Sequence, residues 1–212
     1  MKKILAFDTA TDACSVALLV GEKIIVRHEI APRLHSQLLL PMIQDLLTEA
    51  NIALSALEAV AFGCGPGSFM GVRLATGMAQ GLAFGLSIPV IPISTLQVIA
   101  QTAYEKTGKK KIVAGWDARM QEVYWGKYAC DDQGIMQSEQ EDALCTVEKI
   151  DKVSLVALGF AFAGNIFSDD TYPEAAAMLK IAAQKYQNQE VVLPVDAHPH
   201  YVRHHVVHTT SK

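Results

Sequence analysis

An α/β fold is predicted by the order of apolar runs along the chain. Three of them crowd the first 30 residues, and only Gly21 and Glu22 separate the second from the third, which marks strands joined by a tight turn. Beyond them, segments whose apolar residues recur at three- and four-residue spacing alternate with short continuous apolar runs, the pattern of helices alternating with buried strands. With 212 residues, 50% of them hydrophobic, the chain can bury a substantial core as one large domain or two small ones.

The N-terminal runs predict strands at Lys2 to Asp8, Ala13 to Val20 and Lys23 to Glu29. From Leu38, the residues Leu38, Leu39, Met42, Ile43, Leu46, Leu47 and Ala50 lie on one side of an amphipathic helix. Pro41 falls inside it, which predicts either a kink there or a regular helix that starts close to the proline, because the ring removes a donor and crowds the preceding turn. Ala59 to Gly63 is a short buried strand. Ser68 is placed to cap a helix running to about Gly85, Pro89 to Ile93 is the next strand, and Ser94 caps a third helix through about Lys106. This order, three antiparallel strands and then helix, strand, helix, strand, helix, is that of the ribonuclease-H-like unit in the actin and sugar-kinase ATPase superfold.

The polar run "KTGKKK" marks a boundary, so a second subdomain is expected from about Lys111. There, Ile112 to Trp116 and Val123 to Ala129 read as paired strands, "DDQG" as a turn, Ser154 to Leu158 as a strand, and Pro173 to about Gln187 as a helix with proline in its first turn.

A formal charge of -4 excludes a surface that grips nucleic acid by broad phosphate neutralisation. No apolar stretch is long enough to span a bilayer, and Asp8 and Asp12 interrupt the apolar N-terminus, so a cytoplasmic location is expected. Cys14, Cys64, Cys130 and Cys145 form no C-x-x-C pair and sit among apolar residues, as reduced, packed thiols do.

The glycine-rich stretch "GCGPGSFMG" lacks the lysine and hydroxyl residue of a P-loop. Counting from Gly65, Met70 stands where a dinucleotide fingerprint needs its third glycine. Backbone N–H groups at the helix start can still hold an anion. Within the helix, Gly77, Gly81 and Gly85 repeat every four residues. Each internal glycine costs about 1 kcal/mol relative to alanine, so a close approach is expected to offset it, made either by the protein's own sheet or by another polypeptide. The apolar arc of the Leu38 helix is wider than one sheet contact requires, which points to a protein interface.

Little else in the sequence reads as catalysis. A metal site on the first helix would need a ligand four residues after His35, and that residue is Leu39. Asp8 closes the first strand, either as a local turn acceptor or, as in actin-like ATPases, beside metal-bound phosphates. Asp117, Arg119 and Glu122 form either a charged site beside two tryptophans or a locally paired turn. The histidines His198, His200, His204, His205 and His208 bias the tail toward a solvated or loosely docked segment.

Together, "ILAFDTATDACSVAL", "LHSQLLLPMIQDLL", "GCGPGSFMGVRLATGMAQGLA", "ISTLQ", "WDARMQEVYW" and "PHYVRHHV" resemble the TsaB (YeaZ) family. Met70 stands where that family's motif has threonine. The resemblance implies an actin-like ATPase fold in two subdomains, with residues 1–107 and about 190–212 forming the ribonuclease-H-like unit with a returning tail, and 108–189 a smaller degenerate unit. It implies a non-catalytic accessory subunit that pairs with its catalytic paralogue TsaD in forming N6-threonylcarbamoyladenosine at position 37 of tRNA, with the ATPase TsaE joining the complex. The implied partner interface comprises Leu38, Leu39, Met42, Ile43 and Leu46 on the first helix with Phe69, Arg73, Gly77, Met78 and Gly81 on the second. Asp8, Gly65, Gly67, Ser68 and Arg119 are the candidates for a nucleotide or anion contact. No cofactor of its own is implied; ATP or ADP and a metal belong to the partner subunits, tRNA is reached only through the complex, and alone the chain forms a homodimer. The alternatives are an autonomous ATP-dependent phosphotransferase or ATPase using Asp8, and a metallopeptidase, which Leu39 disfavours.

Overall fold

The computed structural model describes residues 2–167 and 171–203. Strands β1 (Lys3–Asp8), β2 (Ala13–Val20) and β3 (Lys23–Ile30) form the antiparallel start. Gly21 opens the turn between β2 and β3 at φ 65°, the left-handed conformation a Gly-first hairpin needs, and Val20 pairs with Lys23 across it. Helix α1 (His35–Ala50) follows, then β4 (Ala59–Gly65), α2 (Phe69–Leu86), β5 (Val90–Ser94) and α3 (Thr95–Thr107). The five strands order β3-β2-β1-β4-β5, with β4 parallel to both β1 and β5.

Of the two expectations for Pro41, a start close to the proline is not what forms: α1 begins six residues earlier, at His35, and carries Pro41 inside it. Pro41 and Gln37 are both exposed, so the proline lies on the solvent side of the helix, where water can reach the backbone group that loses its helical partner. Ser68 caps α2, its Oγ accepting from Gly71 N at 3.1 Å, and Ser94 caps α3, its Oγ accepting from Gln97 N at 3.4 Å.

Both faces of the first sheet are covered. Alternate residues of β1 and β4 face opposite ways, as the pleat requires: Leu5, Phe7, Val60 and Phe62 pack under α1 and α2, while Ile4, Ala6, Ala59 and Ala61 pack under the last helix, α5 (Ala175–Gln187). On α1, Leu39, Met42, Ile43 and Leu46 are all buried in this core. That corrects their reading as uncovered contact residues: the arc is wide because α1 packs on both β2 and β3, and the chain itself seals it.

The second sheet is built on β6 (Lys111–Arg119) and β7 (Glu122–Cys130), an antiparallel pair; β8 (Met136–Ser138) and β9 (Ala143–Thr146) both join β7, and β10 (Ala161–Ala163) runs parallel to β6. Three expectations fail here. Ser154 to Leu158 is not a strand but most of helix α4 (Lys152–Ala157), because Asp151 caps it, accepting from Ser154 N at 3.1 Å, and Gly159 at φ 82° follows its end. Helix α5 does not belong with the second unit despite lying within 108–189. Met178, Leu179, Ile181 and Ala182 pack on the first sheet, and Ala175 N donates to Ser15 Oγ at 2.8 Å. Pro173 precedes the α5 cap Glu174 rather than sitting in the first turn. After α5 the chain returns across the first unit: Val192 bridges Val90 at the sheet edge, Gln80 Nε2 donates to Ala197 O at 2.8 Å, and His200 N donates to Cys64 O at 2.7 Å.

These placements separate two kinds of apolar or small residue by measurement. Leu46→Ala, which empties a fully buried site, is expected to lower the unfolding free energy by about 2–5 kcal/mol. Gly81→Ala, on a side of α2 with open space, is expected to raise it by up to about 1 kcal/mol. Denaturant unfolding of the two variants checks both signs.

Candidate functional site

Asp8 ends β1 completely buried, its Oδ1 accepting from Ala10 N at 2.7 Å and its Oδ2 from Thr95 Oγ1 at 2.9 Å. Gly63 lies against the carboxylate so closely that any Cβ there would collide with Asp8 Oδ2. Burial pushes the Asp8 carboxyl up from 3.8 to about 6, partly offset by the bonds from Ala10 and Thr95. Asp8 is thus a local turn acceptor toward Ala10 and at the same time ties the end of β1 to Thr95, the first residue of α3.

A cleft of about 640 Å³ opens between the two sheets, and neither Asp8 nor Gly65 lines it. One wall is the β1–β2 loop with Gly67, Ser68, Phe69 and Arg73 from the start of α2; the other is Trp116, Asp117, Arg119 and Tyr124 from the β6–β7 hairpin, with Asn165. The returning tail, His200 to Arg203, closes one side. The Ser68 hydroxyl accepts from Gly71 N as the α2 cap, which leaves its O–H to donate toward the cleft beside the loop backbone.

The hairpin tip is strained and held. Arg119, Met120 and Gln121 take φ of 64°, 56° and 62°, three successive non-glycine residues in the left-handed region. Asp117 Oδ1 accepts from Arg119 N at 2.7 Å and Asp117 Oδ2 pairs with Arg119 Nη1 at 3.0 Å, so the charged cluster of this segment is in part a locally paired turn. Its third member, Glu122, pairs instead with Arg203 at 2.6 Å, and Arg203 Nη2 also donates to Ala118 O at 3.0 Å. Arg203 thus fastens the tail to the hairpin across the cleft. A second fastening lies nearby, where Asp142 accepts from Ser94 Oγ and Tyr128 OH, each at 2.5 Å, and burial raises its carboxyl above the ordinary range.

The outer side of α2 is bare. Gly77, Gly81 and Gly85 are exposed, with open space where each Cβ would stand, so the protein's own sheet does not compensate them. Around them Phe69 is 57% exposed, Met70 73% and Phe84 75%, while Met78 and Leu38 are half-buried. One turn along α2, the Arg73 guanidinium lies 3.2 Å from the Phe69 ring centroid.

Of the anion candidates, Gly67, Ser68 and Arg119 are gathered at the cleft, whereas Asp8 and Gly65 are turned away from it. Tyr124, Asn165, Tyr201 and Arg203 were not anticipated as wall residues; Tyr124 lies within "WDARMQEVYW" and Tyr201 and Arg203 within "PHYVRHHV", but nothing local in either stretch says that they converge. Among the described residues no three His, Cys, Asp or Glu side chains cluster as a metal centre. Leu39 is fully buried, and His200 is exposed at the cleft. His204, His205 and His208 lie outside the described residues. All four cysteines are free, and burial pushes Cys14 and Cys64 up to about 12. No helix among the described residues is long and apolar enough to cross a membrane.

A family model described as TsaD: tRNA N6-adenosine threonylcarbamoyltransferase matches residues 20–206. The tRNA threonylcarbamoyladenosine biosynthesis protein TsaB of Escherichia coli (strain K12) is 40% identical over 221 aligned positions, covering 96% of either chain. Its counterpart in Haemophilus influenzae is 39% identical, covering 96% of this chain and 94% of its own. Among solved structures, YeaZ from Pseudomonas aeruginosa superposes with a TM-score of 0.90 at 41% identity, covering 95% of this chain and all of its own.

The sealed carboxylate gives a pH dependence. Because burial raises the folded-state pKa of Asp8, the charged form favours unfolding: its penalty is absent below about pH 3.8 and fully present above about pH 6. Relative to Asp8→Asn, the wild type is expected to lose about 3 kcal/mol of stability as pH rises through that window. Unfolding of both proteins at pH 4 and pH 7 measures the difference, and a constant gap would show that Asp8 does not titrate in this way.

Proposed function

The chain belongs to the TsaB family of tRNA threonylcarbamoyladenosine biosynthesis proteins, and from that premise we propose that it is a non-catalytic accessory subunit that pairs with TsaD. The observation that carries this reading is the bare side of α2. Three glycines in register leave the helix backbone uncovered among exposed Phe69, Met70 and Phe84, at a cost of about 1 kcal/mol per glycine that nothing in the isolated chain recovers. A second helix can approach that backbone more closely than any side-chain-bearing surface allows, and the flanking aromatic residues supply the buried contact.

The interface then consists of what the fold leaves outside: Phe69, Arg73, Gly77, Met78 and Gly81 on α2, with Leu38 and the exposed Leu34 and Leu40 at the α1 end. Leu39, Met42, Ile43 and Leu46 act from beneath, holding α1 in place rather than touching the partner. Without TsaD, the same surface pairs with a second copy. In this reading TsaE joins the assembly, tRNA is met only through it, and ATP or ADP and the metal belong to the partner subunits. The phosphotransferase alternative needs Asp8 to face a metal-bound phosphate, and its carboxylate is instead engaged inside the fold.

Size-exclusion chromatography with purified TsaD is expected to give a heterodimer with the wild-type chain and none with Gly81→Arg, while circular dichroism reports the same fold for both. Assembly of Gly81→Arg as readily as wild type would count against this surface. Light scattering of the isolated chain is expected to show a dimer; a monomer at high concentration rejects self-pairing.

A further inference from the structure

We propose that the free edge of β3 pairs antiparallel with β3 of a second copy of this chain. Strand β3 ends the first sheet, and β2 is its one ladder partner among the described residues. Val20 and Lys23 flank the two-residue turn, and in such a hairpin the flanking pair exchanges backbone bonds. The alternation that follows turns Ile25, Arg27 and Glu29 toward β2 and leaves Ile24, Val26 and His28 presenting N–H and C=O groups outward. Among the described residues, one side chain reaches those groups: Arg27 Nη1 donates to Val26 O at 3.0 Å, while Arg27 Nη2 stays with Glu49 at 2.7 Å. A carbonyl has a second lone pair, so Val26 O can accept again. The edge also carries apolar surface, with Ile24 38%, Val26 36% and Ile30 48% exposed. A long edge of this kind is a template for another strand.

Charge selects the occupant. When Val26 stands opposite Val26 of the second copy, Lys23 of each strand falls opposite Glu29 of the other, and opposite charges facing across a strand pair attract. Lys23 and Glu29 are both exposed, and neither belongs to an ion pair among the described residues. A shift of two residues either way, the smallest that keeps outward groups facing one another, sets Lys23 against Arg27 or Arg27 against itself. One register therefore matches opposite charges twice about a two-fold axis, and its neighbours oppose like charges. The charges that guard this edge against foreign strands thus suit its own copy. None of the residues assigned to the TsaD surface lies on β3, so the inference does not rest on that pairing. A contact confined to one strand of eight residues is small and weak, so it forms as concentration rises.

Sedimentation equilibrium of the full chain carrying Gly81→Arg, which closes the α2 route, isolates the strand contact. A monomer–dimer equilibrium is expected, weakened roughly tenfold by Lys23→Glu or by Glu29→Lys, since each reversal acts twice in the dimer, and restored when both reversals stand in one chain. Val26→Pro is expected to abolish the dimer, because it removes the outward N–H at the two-fold axis, while an edge strand tolerates proline where that group has no ladder partner. Hydrogen exchange at Ile24, Val26 and His28 is expected to slow as protein concentration rises. Lys23 and Glu29 are exposed, so their reversals keep the test decisive even if Val26→Pro fails to fold, and thermal unfolding reports which variants are folded. The proposal is overturned if the Gly81→Arg chain stays monomeric at every concentration, if either single reversal dimerises as tightly as its parent, or if the combined reversal restores nothing. Should that happen while the wild-type chain still assembles with TsaD, only the strand contact falls.

Discussion

The close seating of α2 on the first sheet governs much of what this molecule presents to its surroundings. Ala75, Ala79 and Ala83 are fully buried on its inner side, and their methyl groups let the helix axis come near β4. Two residues further on, about 200° around the helix, Gly77, Gly81 and Gly85 point the other way. Leu74, Met78, Leu82 and Leu86 pack along its flanks, and hydrogen bonds fix it at further points. At the N-terminus Thr9 Oγ1 donates to Gly71 O at 2.7 Å and Ser68 N to Ala10 O at 2.7 Å; further along, Gln80 grips the returning tail.

From that seating the cleft follows. The β1–β2 loop that pins α2 also forms a cleft wall, so the glycine-bearing helix and the cleft share one anchor. The same loop turns Asp8 inward. A carboxylate at the end of the first strand, beside a glycine that admits it, is engaged in joining β1 to α3 rather than in facing a ligand. The tail completes the enclosure by crossing the first unit and ending on the β6–β7 hairpin through Arg203. Electrostatics at the cleft are thus built from distant pieces of chain: Arg73 from α2, Arg119 from the hairpin and Arg203 from the tail.

Much of the fold was legible in the sequence because it rests on local rules. Strand runs, the Gly21-Glu22 turn, the Ser68 and Ser94 caps and the α1 and α2 stripes each depend on residues within a turn or two of one another, and the structure bears each out. The failures share a cause. Ser154 to Leu158 has the branched apolar composition of a strand, yet Asp151 supplies a helix cap three residues before Ser154. Helix α5 was legible as a helix but not in its allegiance, because the strands it covers are far away in sequence, 160 residues at the Ala175–Ser15 bond.

What the sequence determined by itself was element type, the family resemblance that the comparisons with known proteins then bore out, and the presence of two small-residue or apolar helix faces. Tertiary structure alone decided which of those faces stays open. On α1 the apolar arc is consumed by the sheet beneath it, while on α2 the alanines do that work and the glycines are left to solvent. Periodicity records that a side of a helix is apolar or bare, but burial depends on what the rest of the chain lays across it, and that is set by contacts far apart in sequence.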